Sequence, residues 1–459
     1  MNKAYLSALG IAAAASVATI LATHVAAGPP QLDMGLIGGV AQLVQQDYVH
    51  PVNPGDLTDY ALKGMLAHLD PHSAYMTEQE FRESTQDMSG KFGGIGLEIA
   101  DHAGVPTVIS PIDDTPAAHA GLQPGDVIAS VDGNSTQGED LLHVVRQIRG
   151  KPGTTVTLGI SRGAKTPFDV PLTRSIIHVE SVKSKLEPDN VGYVRISQFG
   201  DTTAADVKQA ITTLKQNAGG RLAGLVLDVR DDPGGLLSAA VDVSGDFLDD
   251  GTVVSIRGRS QGDNKVFSAS GKGDLLQHAP IVVLINGASA SASEIVAGAL
   301  QDHHRATVMG TPSFGKGSVQ TVIPLGGHGA LRLTTALYFT PSGRSIQDDG
   351  ISPDVVVEAP KDQQVESSLI WRESELHGAF ANPGSIGGTN NQADKNQPDQ
   401  NQANQTQLEK TPVKREAYSP PIKSQLIGTP DDAQLNAALK RIEQINGGRA
   451  TGTGQKAPI

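Results

Sequence analysis

The sequence predicts a multidomain α/β protein, on three observations. Between residues 190 and 358, apolar strands alternate with helical stretches, which indicates a layered α/β unit with a largely buried sheet. Between residues 90 and 175, short β-type runs are separated by turns rich in Gly, Pro and Asp, which predicts a small β-rich domain. Apolar spacing is helical over residues 36–88, and we interpret His68 and His72 there as cap and packing residues.

Composition limits the function classes. The chain has 459 residues, of which 38% are hydrophobic, enough for more than one core. Its net charge of −13 disfavours nucleic acid, which proteins usually bind through clustered Lys and Arg. The absence of cysteine excludes disulfides, thiol nucleophiles and thiolate metal sites. The histidines lack the spacing of a metal site, so we expect neither a metal ion nor another cofactor.

The first residues have the pattern of an export signal. Lys3 supplies a positive start, an apolar stretch continues to about Ala22, and small residues at 25–27 offer a cleavage site. If it is not cleaved, the apolar stretch is long enough to span a bilayer. We therefore expect an exported protein that is periplasmic or anchored to the outer face of the inner membrane.

Asn and Gln dominate residues 390–407, a composition with too little apolar surface to offset the entropy lost on ordering. This stretch predicts a disordered C-terminal linker. The amphipathic residues 433–445 beyond it predict a helix that docks onto a partner or lies on the surface. The predicted segments are 1–27, signal peptide or membrane anchor; 28–89, N-terminal helical region; 90–175, β-rich domain; 176–360, layered α/β core; 361–430, linker; and 431–459, C-terminal helical tail.

A serine lies where a predicted strand meets a predicted helix. Residues 281–294 read Ile-Val-Val-Leu-Ile-Asn-Gly-Ala-Ser-Ala-Ser-Ala-Ser-Glu. Unpaired N–H groups at a helix start favour negative charge such as a tetrahedral oxyanion, so a serine there suits acyl transfer. Ser291 and Glu294 are also spaced as a capping box, and on this segment alone the capping interpretation is favoured.

A second segment supplies a basic group. Residues 313–320 read Ser-Phe-Gly-Lys-Gly-Ser-Val-Gln. Burial lowers the pKa of a lysine, so a buried Lys316 would be able to take a proton from a serine. Residues 310–316 also fit the start of a phosphate-binding loop, but Gly317 replaces the required Ser or Thr and a strand follows instead of a helix.

Four motifs carry a family resemblance: residues 225–237 (Leu-Val-Leu-Asp-Val-Arg-Asp-Asp-Pro-Gly-Gly-Leu-Leu), 289–302 (Ser-Ala-Ser-Ala-Ser-Glu to Ala-Leu-Gln-Asp), 314–320 (Phe-Gly-Lys-Gly-Ser-Val-Gln) and 340–347 (Thr-Pro-Ser-Gly-Arg-Ser-Ile-Gln). Together they resemble the carboxyl-terminal processing peptidases, or tail-specific proteases, a Ser/Lys family of serine peptidases. The resemblance covers about residues 36–358. It implies that Ser291 is the nucleophile, that Lys316 is the general base and that Gln320 orients the lysine.

The resemblance also bears on residues near the dyad. Ser289 and Ser293 are expected to be structural. Asp302 matches an aspartate sometimes proposed as a third catalytic member, but along one helix it lies about 16 Å from Ser291, too far for a hydrogen bond. We expect a structural role for Asp302. Gln320 lies four positions after the lysine, about 13 Å on a straight strand, so the chain must bend for the two to meet.

The oxyanion hole is expected from backbone groups. The N–H of Ala292, next to the nucleophile, would combine with that of Gly234 or Gly235, because a glycine pair allows close approach of the substrate. Taken alone, residues 233–235 would be interpreted as a turn after a strand.

The β-rich domain carries a second resemblance. Residues 92–99 read Phe-Gly-Gly-Ile-Gly-Leu-Glu-Ile, and residues 120–126 read Ala-Gly-Leu-Gln-Pro-Gly-Asp. The combination resembles a PDZ domain. Such domains bind a peptide as an extra strand and hold its terminal carboxylate with backbone amides. The amides are expected at Gly94, Ile95, Gly96 and Leu97.

These resemblances imply a serine endopeptidase that cleaves exported proteins near their C-termini, with a PDZ-like domain that captures the substrate tail and is a candidate gate of the active site. The expected partners are proteins or peptides with accessible C-terminal tails, while an adaptor protein, a homo-oligomer and an N-terminal membrane anchor stay open. One alternative is a catalytically silent PDZ-type scaffold that binds tails, which the intact dyad disfavours. Another is different acyl chemistry, such as thioester hydration, on a related layered fold.

Overall fold

The computed structural model describes residues 32–88, 91–102, 105–112, 115–123, 125–139, 141–163, 166–178, 180–271, 273–364, 372–383 and 422–450. The predicted export signal at residues 1–27 and the Asn- and Gln-rich residues 390–407 lie outside these ranges. Among the helices within these ranges, none combines the length and the apolar character that crossing a bilayer requires.

The helices and strands are numbered separately, each in chain order. The helices are α1 (Met34–Asp47), α2 (Pro54–Ala67), α3 (Glu78–Met88), α4 (Pro116–His119), α5 (Leu141–Ile148), α6 (Thr203–Asn217), α7 (Leu237–Gly245), α8 (Ala292–Asp302) and α9 (Ala433–Ala450). The strands are β1 (Ala74–Met76), β2 (Lys91–Gly94), β3 (Leu97–His102), β4 (Val105–Pro111), β5 (Val127–Val131), β6 (Asn134–Ser135), β7 (Thr155–Ser161), β8 (Phe168–Thr173), β9 (Ser175–His178), β10 (Val182–Glu187), β11 (Val191–Ile196), β12 (Gly224–Asp228), β13 (Thr252–Gly258), β14 (Lys265–Ser268), β15 (Ile281–Ile285), β16 (Ala306–Gly310), β17 (Ser318–Pro324), β18 (Ala330–Phe339) and β19 (Val355–Val356).

The described residues divide into two compact units, with the boundary between Met65 and Leu66. The first unit contains α1 and most of α2, in agreement with the helical spacing of its apolar residues. Asp33 begins α1, because its carboxylate accepts a hydrogen bond of 2.9 Å from the Leu36 N–H.

The second unit is built around a six-stranded sheet with the strand order β10-β11-β12-β15-β16-β19. Strands β11 to β19 of this sheet run parallel, and β10 pairs antiparallel with β11. Alternate side chains of β12 face opposite sides of the sheet: Leu225 and Leu227 pack in a cluster with α6, α7 and α8. Both faces are covered, which explains the continuous apolar runs of β12 and β15.

Helix α9 covers the second face of the same sheet. Leu435, Ala438 and Ile442 are buried in a cluster that also contains Val226 and Val282 of the sheet. The segment forms the predicted helix, and it is a surface helix: Asn436, Lys440 and Glu443 are exposed on the side away from the sheet. Its apolar face belongs to the folded core, and its amphipathic pattern reflects contact with the chain's own sheet.

A second sheet has the strand order β1-β18-β13-β14, and β17 also pairs with β18, from Ala330 to Leu337. Its strands are antiparallel, and β1 brings the segment after α2 onto β18 through pairs such as Ala74 with Arg332. Residues 313–317, which we call the lysine loop, connect β16 of the parallel sheet to β17 of the antiparallel sheet.

The β-rich domain forms its own sheet, β3-β4-β5-β7-β8, with β6 paired to β5. Its core includes Ile95, Val108, Ile128, Val144 and Leu158. The chain enters through β2 and leaves through β9, and these two strands pair with each other. The domain is therefore an insertion whose two ends are neighbours.

Candidate active site

Ser291 lies between β15 and the first turn of α8, at the N-cap position. Its backbone has φ 55° and ψ −109°, a conformation that is costly for a residue with a side chain. The flanking serines have structural bonds, as expected: the Ser289 hydroxyl donates to the Val229 carbonyl at 2.7 Å, and the Ser293 hydroxyl donates to the Asp232 carbonyl at 3.0 Å. Of the three serines, Ser291 is the one with positive φ, and the side chains of the other two are hydrogen-bonded to backbone carbonyls.

Glu294 connects the turn of Ser291 to the lysine loop. Its Oε2 accepts hydrogen bonds from the Ser291 N–H (2.8 Å) and the Lys316 N–H (2.9 Å). Its Oε1 accepts from the Ser313 hydroxyl (2.6 Å) and the Gly315 N–H (2.7 Å). Burial raises the pKa of Glu294 to about 7, while these hydrogen bonds oppose the rise. The capping-box pattern was the sequence signal for this residue, but it did not reveal the bonds to the lysine loop.

The lysine loop depends on the glycines around Lys316. Gly315 has φ 97°, and a Cβ there would lie 2.7 Å from the Asp348 carbonyl oxygen. A Cβ on Gly317 would lie 2.2 Å from the Gln347 backbone nitrogen. Both glycines are therefore required by close backbone approach, and they hold Lys316 where two strands of different sheets meet.

Lys316 has an unusual electrostatic environment. Burial lowers its pKa below the ordinary value for lysine, and the positive charge of Arg332 lowers it further. The carboxylates of Glu373, Glu294 and Asp70 act in the opposite direction. The balance favours the neutral amine more than in a solvent-exposed lysine, which is the property that a general base requires.

Gln320 lies on β17 just after a register irregularity between Val319 and Gln320. Its Nε2 donates to Ser318 Oγ at 2.9 Å and to Thr334 Oγ1 at 3.4 Å. Within the described ranges, the side chain of Lys316 makes no hydrogen bond to Gln320 or to Ser291. The turn of Ser291 and the lysine loop are thus connected through the backbone N–H groups that donate to Glu294. In the part of the chain that the structure describes, the side chains of Ser291, Lys316 and Gln320 are not hydrogen-bonded to one another.

Residues 232–235, which we call the oxyanion loop, lie directly against Ser291. A Cβ on Gly234 would be 2.9 Å from the Ser291 Cβ and from the Ala292 nitrogen. The Gly234 N–H donates to Asp232 Oδ1 at 2.8 Å, so this donor is already engaged. Gly235 is therefore the better candidate of the glycine pair, together with Ala292.

Asp302 lies at the far end of α8. Its Oδ1 accepts a 2.6 Å hydrogen bond from Arg344 Nη2, and its Oδ2 accepts one of 2.9 Å from the Ser342 N–H. These bonds connect the helix end to the turn after β18. These contacts support the structural role expected for Asp302, which stays a prediction.

The candidate carboxylate-binding loop of the β-rich domain is held by its carbonyls. The Ile95 carbonyl accepts from the Ala117 N–H (2.8 Å), and the Gly96 carbonyl accepts from the Ile112 N–H (3.0 Å). Because a trans peptide unit is planar, the N–H groups of Gly96 and Leu97 point away from these carbonyls. The loop therefore directs successive N–H groups away from the bonds that hold it in the domain, which suits an anionic ligand.

Two sequence families match this chain. Residues 190–357 match peptidase family S41, and residues 93–169 match the PDZ domain. The carboxy-terminal-processing protease of Bartonella bacilliformis is 49% identical over 344 residues, which cover 74% of this chain and 79% of that protein. A probable CtpA-like serine protease of Staphylococcus haemolyticus is 39% identical over 324 residues, covering 70% and 64%. Among solved structures, the photosystem II D1 C-terminal processing protease has 30% identity and a TM-score of 0.43, covering 72% of this chain and 94% of the other.

Proposed function

Because this chain belongs to the carboxy-terminal-processing proteases, serine-type peptidases of family S41 with a PDZ domain, we propose that it cleaves proteins near their C-termini through Ser291 and Lys316. One observation carries the assignment of these two residues. A single buried carboxylate, that of Glu294, accepts hydrogen bonds from the backbone N–H groups of both. Such a shared anchor keeps a nucleophile and a base at a constant separation.

The proposed reaction is acyl transfer. The neutral amine of Lys316 takes the proton of the Ser291 hydroxyl as the oxygen attacks the peptide carbonyl, and the resulting ammonium gives that proton to the leaving amine. The N–H groups of Ala292 and Gly235 stabilise the oxyanion of the tetrahedral intermediate. Water then attacks the acyl-enzyme by the same route in reverse. Gln320 orients the lysine after its side chain has rotated and its hydrogen bonds to Ser318 and Thr334 have broken.

The PDZ domain is proposed to capture the substrate. The free carboxylate of a protein tail binds to the N–H groups of residues 94–97, and the tail adds as a strand beside β3. Support comes from the carbonyl bonds of Ile95 and Gly96, which orient the following N–H groups outward. A tail with a free carboxylate is therefore the favoured substrate, whereas the same peptide with an amidated terminus would be cleaved more slowly.

The proposed cellular location and the choice between a peptidase and a silent scaffold rest on separate observations. The pattern of residues 1–27 supports an exported protein, periplasmic or anchored to the outer face of the inner membrane. A catalytically silent scaffold would need neither a lysine with a lowered pKa nor a serine in a strained backbone conformation. Both features support the peptidase.

The test compares the purified chain with Ser291→Ala, Lys316→Ala and Lys316→Arg variants on an unstructured protein tail. All three variants should lose cleavage, the last because guanidinium stays protonated. Lys183→Ala, at an exposed lysine of β10, is the matched control and should cleave normally. Normal cleavage by Ser291→Ala or Lys316→Ala would exclude the proposed mechanism.

A further inference from the structure

A short segment that follows β19 in the sequence lies along the lysine loop. We call residues 372–383 the strap. Its Glu373 N–H donates to the Phe314 carbonyl at 3.2 Å, and Arg372 Nη2 donates to the Ser313 carbonyl at 2.9 Å. Two consecutive strap residues therefore hold the two loop positions that precede Gly315. No sequence motif pointed to this contact.

The carboxylate of Glu373 is fully buried and also reaches the other side of Lys316. Gln347 makes the connection: its Nε2 donates to Glu373 Oε1 at 3.0 Å, and its Oε1 accepts from the Gly317 N–H at 3.0 Å. The strap thus holds the lysine loop before Lys316 through hydrogen bonds to two loop carbonyls, and after Lys316 through the bridging amide of Gln347.

The partner of Glu373 on its other side is His72, in the turn of residues 70–73. His72 Nε2 lies 3.0 and 2.8 Å from the two carboxylate oxygens. The turn itself is fixed, since Asp70 Oδ1 accepts hydrogen bonds from the His72 N–H at 2.9 Å and the Thr334 hydroxyl at 3.0 Å. His72 is thus more than the cap and packing residue that the sequence indicated.

The charges that face Lys316 come from four different elements. Arg332 lies on β18, Glu294 on α8, Asp70 in the turn before β1, and Glu373 on the strap. Glu373 exerts the largest opposing effect among the carboxylates on the lowered pKa of Lys316. It is also the carboxylate that comes latest in the sequence, on a segment that follows the S41 match at residues 190–357.

We infer that Glu373 is a positioning residue for the general base: held by His72 and Gln347 through its buried carboxylate, it fixes the lysine loop on both sides of Lys316. This inference rests on the proposed Ser/Lys mechanism. The buried negative charge of Glu373 has a second effect: it favours the ammonium form of Lys316, because burial keeps water from screening it.

The pH dependence of kcat/KM on an unstructured protein tail tests the inference. The neutral amine is the active form, so activity rises with pH as Lys316 loses its proton. Glu373→Gln keeps the shape and the hydrogen-bonding capacity but removes the charge, and it should move this rise to lower pH by about half a unit or more. Arg332→Gln removes a positive charge and should move it to higher pH.

The control is Glu358→Gln, at an exposed carboxylate outside the strap, which should leave the midpoint and the rate unchanged. Glu373→Asp keeps the charge but shortens the side chain, so it should lower kcat with a smaller change of midpoint. The pH profile of Glu373→Gln could instead have the midpoint of the unmodified protein and only a reduced plateau. Glu373 would then have a purely structural role, and the inference would be wrong.

A second variant covers the case in which Glu373→Gln does not fold, as judged by its thermal unfolding. His72→Gln removes one of the two groups that hold the carboxylate and should lower kcat several-fold with little change in KM. An unchanged kcat would overturn the inference. Failure of the Ser/Lys mechanism is recognised separately, because Lys316→Ala would then keep its activity whatever the Glu373 variants do.

Discussion

Arg230 Nη2 lies 2.6 Å from Asp432 Oδ2, across 202 positions of sequence, and both side chains are fully buried. A second bond of 3.0 Å joins Nη1 to Oδ1, so the pair is bidentate. Arg230 also bonds Asp228, the last residue of β12, whose pKa it holds below the ordinary value although burial alone would raise it. The C-terminal segment is thus attached next to the oxyanion loop, which begins two residues after Arg230.

Loss of the Asp432 charge should destabilise the fold. Asp432→Asn keeps an acceptor for the N–H groups at the start of α9 but leaves Arg230 with less compensating charge in a buried site. We expect a loss of about 3 kcal/mol in the free energy of unfolding, measured by urea denaturation. The adjacent exposed Asp431→Asn is the control and should change it by less than about 0.5 kcal/mol. Equal values for the two variants would contradict this account.

Glu294→Gln should impair catalysis more than binding. Each oxygen of Glu294 accepts two hydrogen bonds, and an amide NH₂ in place of one oxygen would face donors and repel them. We expect kcat to fall about 100-fold with little change in KM, because the loops that carry Ser291 and Lys316 would separate. Steady-state kinetics on a protein tail measure this, with Glu358→Gln, at an exposed position, as control. A variant with normal kcat would show that the shared anchor is dispensable.

Gly235→Ala should remove activity by displacing the oxyanion loop. Gly235 has φ 146°, and a Cβ there would lie 2.1 Å from the Phe199 carbonyl oxygen. We expect kcat/KM to fall about 100-fold or more, as for the loss of an oxyanion donor. At Gly262 a Cβ would meet nothing within 4 Å, so Gly262→Ala should behave as the unmodified protein. Comparable kinetics for the two alanine variants would refute the assigned role of the loop.

Asp232 should make stability depend on pH. Burial raises its pKa to about 8, so between about pH 4 and pH 8 the folded chain binds more protons at this site than the unfolded chain does. Its contribution to stability is therefore lost as the pH rises through that window. From pH 5 to pH 8 the free energy of unfolding should fall by about 3 to 4 kcal/mol more in the unmodified protein than in Asp232→Asn. Parallel urea curves at several pH values would reveal the difference, and identical slopes would count against a protonated Asp232.

Gly96→Ala should weaken capture of the substrate tail. Gly96 has φ 77°, and a Cβ there would lie 2.3 Å from the Thr115 Cβ, so the loop that presents the N–H groups must move. We expect the Kd for a peptide with a free C-terminal carboxylate to rise at least 10-fold, measured by fluorescence anisotropy. Gly121→Ala is the control, since it also has positive φ but an open surrounding. Equal affinity for the two variants would place the carboxylate elsewhere.

Local periodicity predicted much of the fold. The alternation of strands and helices over residues 190–358 and the strand-to-helix junction within residues 281–294 were predicted correctly, because a strand repeats every two residues and a helix every 3.6. The pairing of β1 with β18 was not predicted, since periodicity does not say which distant segments become neighbours. The same limit applies to α9: its amphipathic pattern predicted a helix with one apolar face but not that this face packs on the chain's own sheet.

The sequence by itself determined the types of residue at the site and their order: a serine at a helix start, a lysine between glycines, a glutamine four positions on, and the glycine loops that precede them. Tertiary structure alone decided which charges face Lys316, because Asp70, Glu294, Arg332 and Glu373 come from segments far apart in the chain. It also decided that one glutamate holds both loops and that a C-terminal aspartate neutralises Arg230. These are effects of distance and burial in three dimensions, and the free energies of charges and hydrogen bonds depend on both.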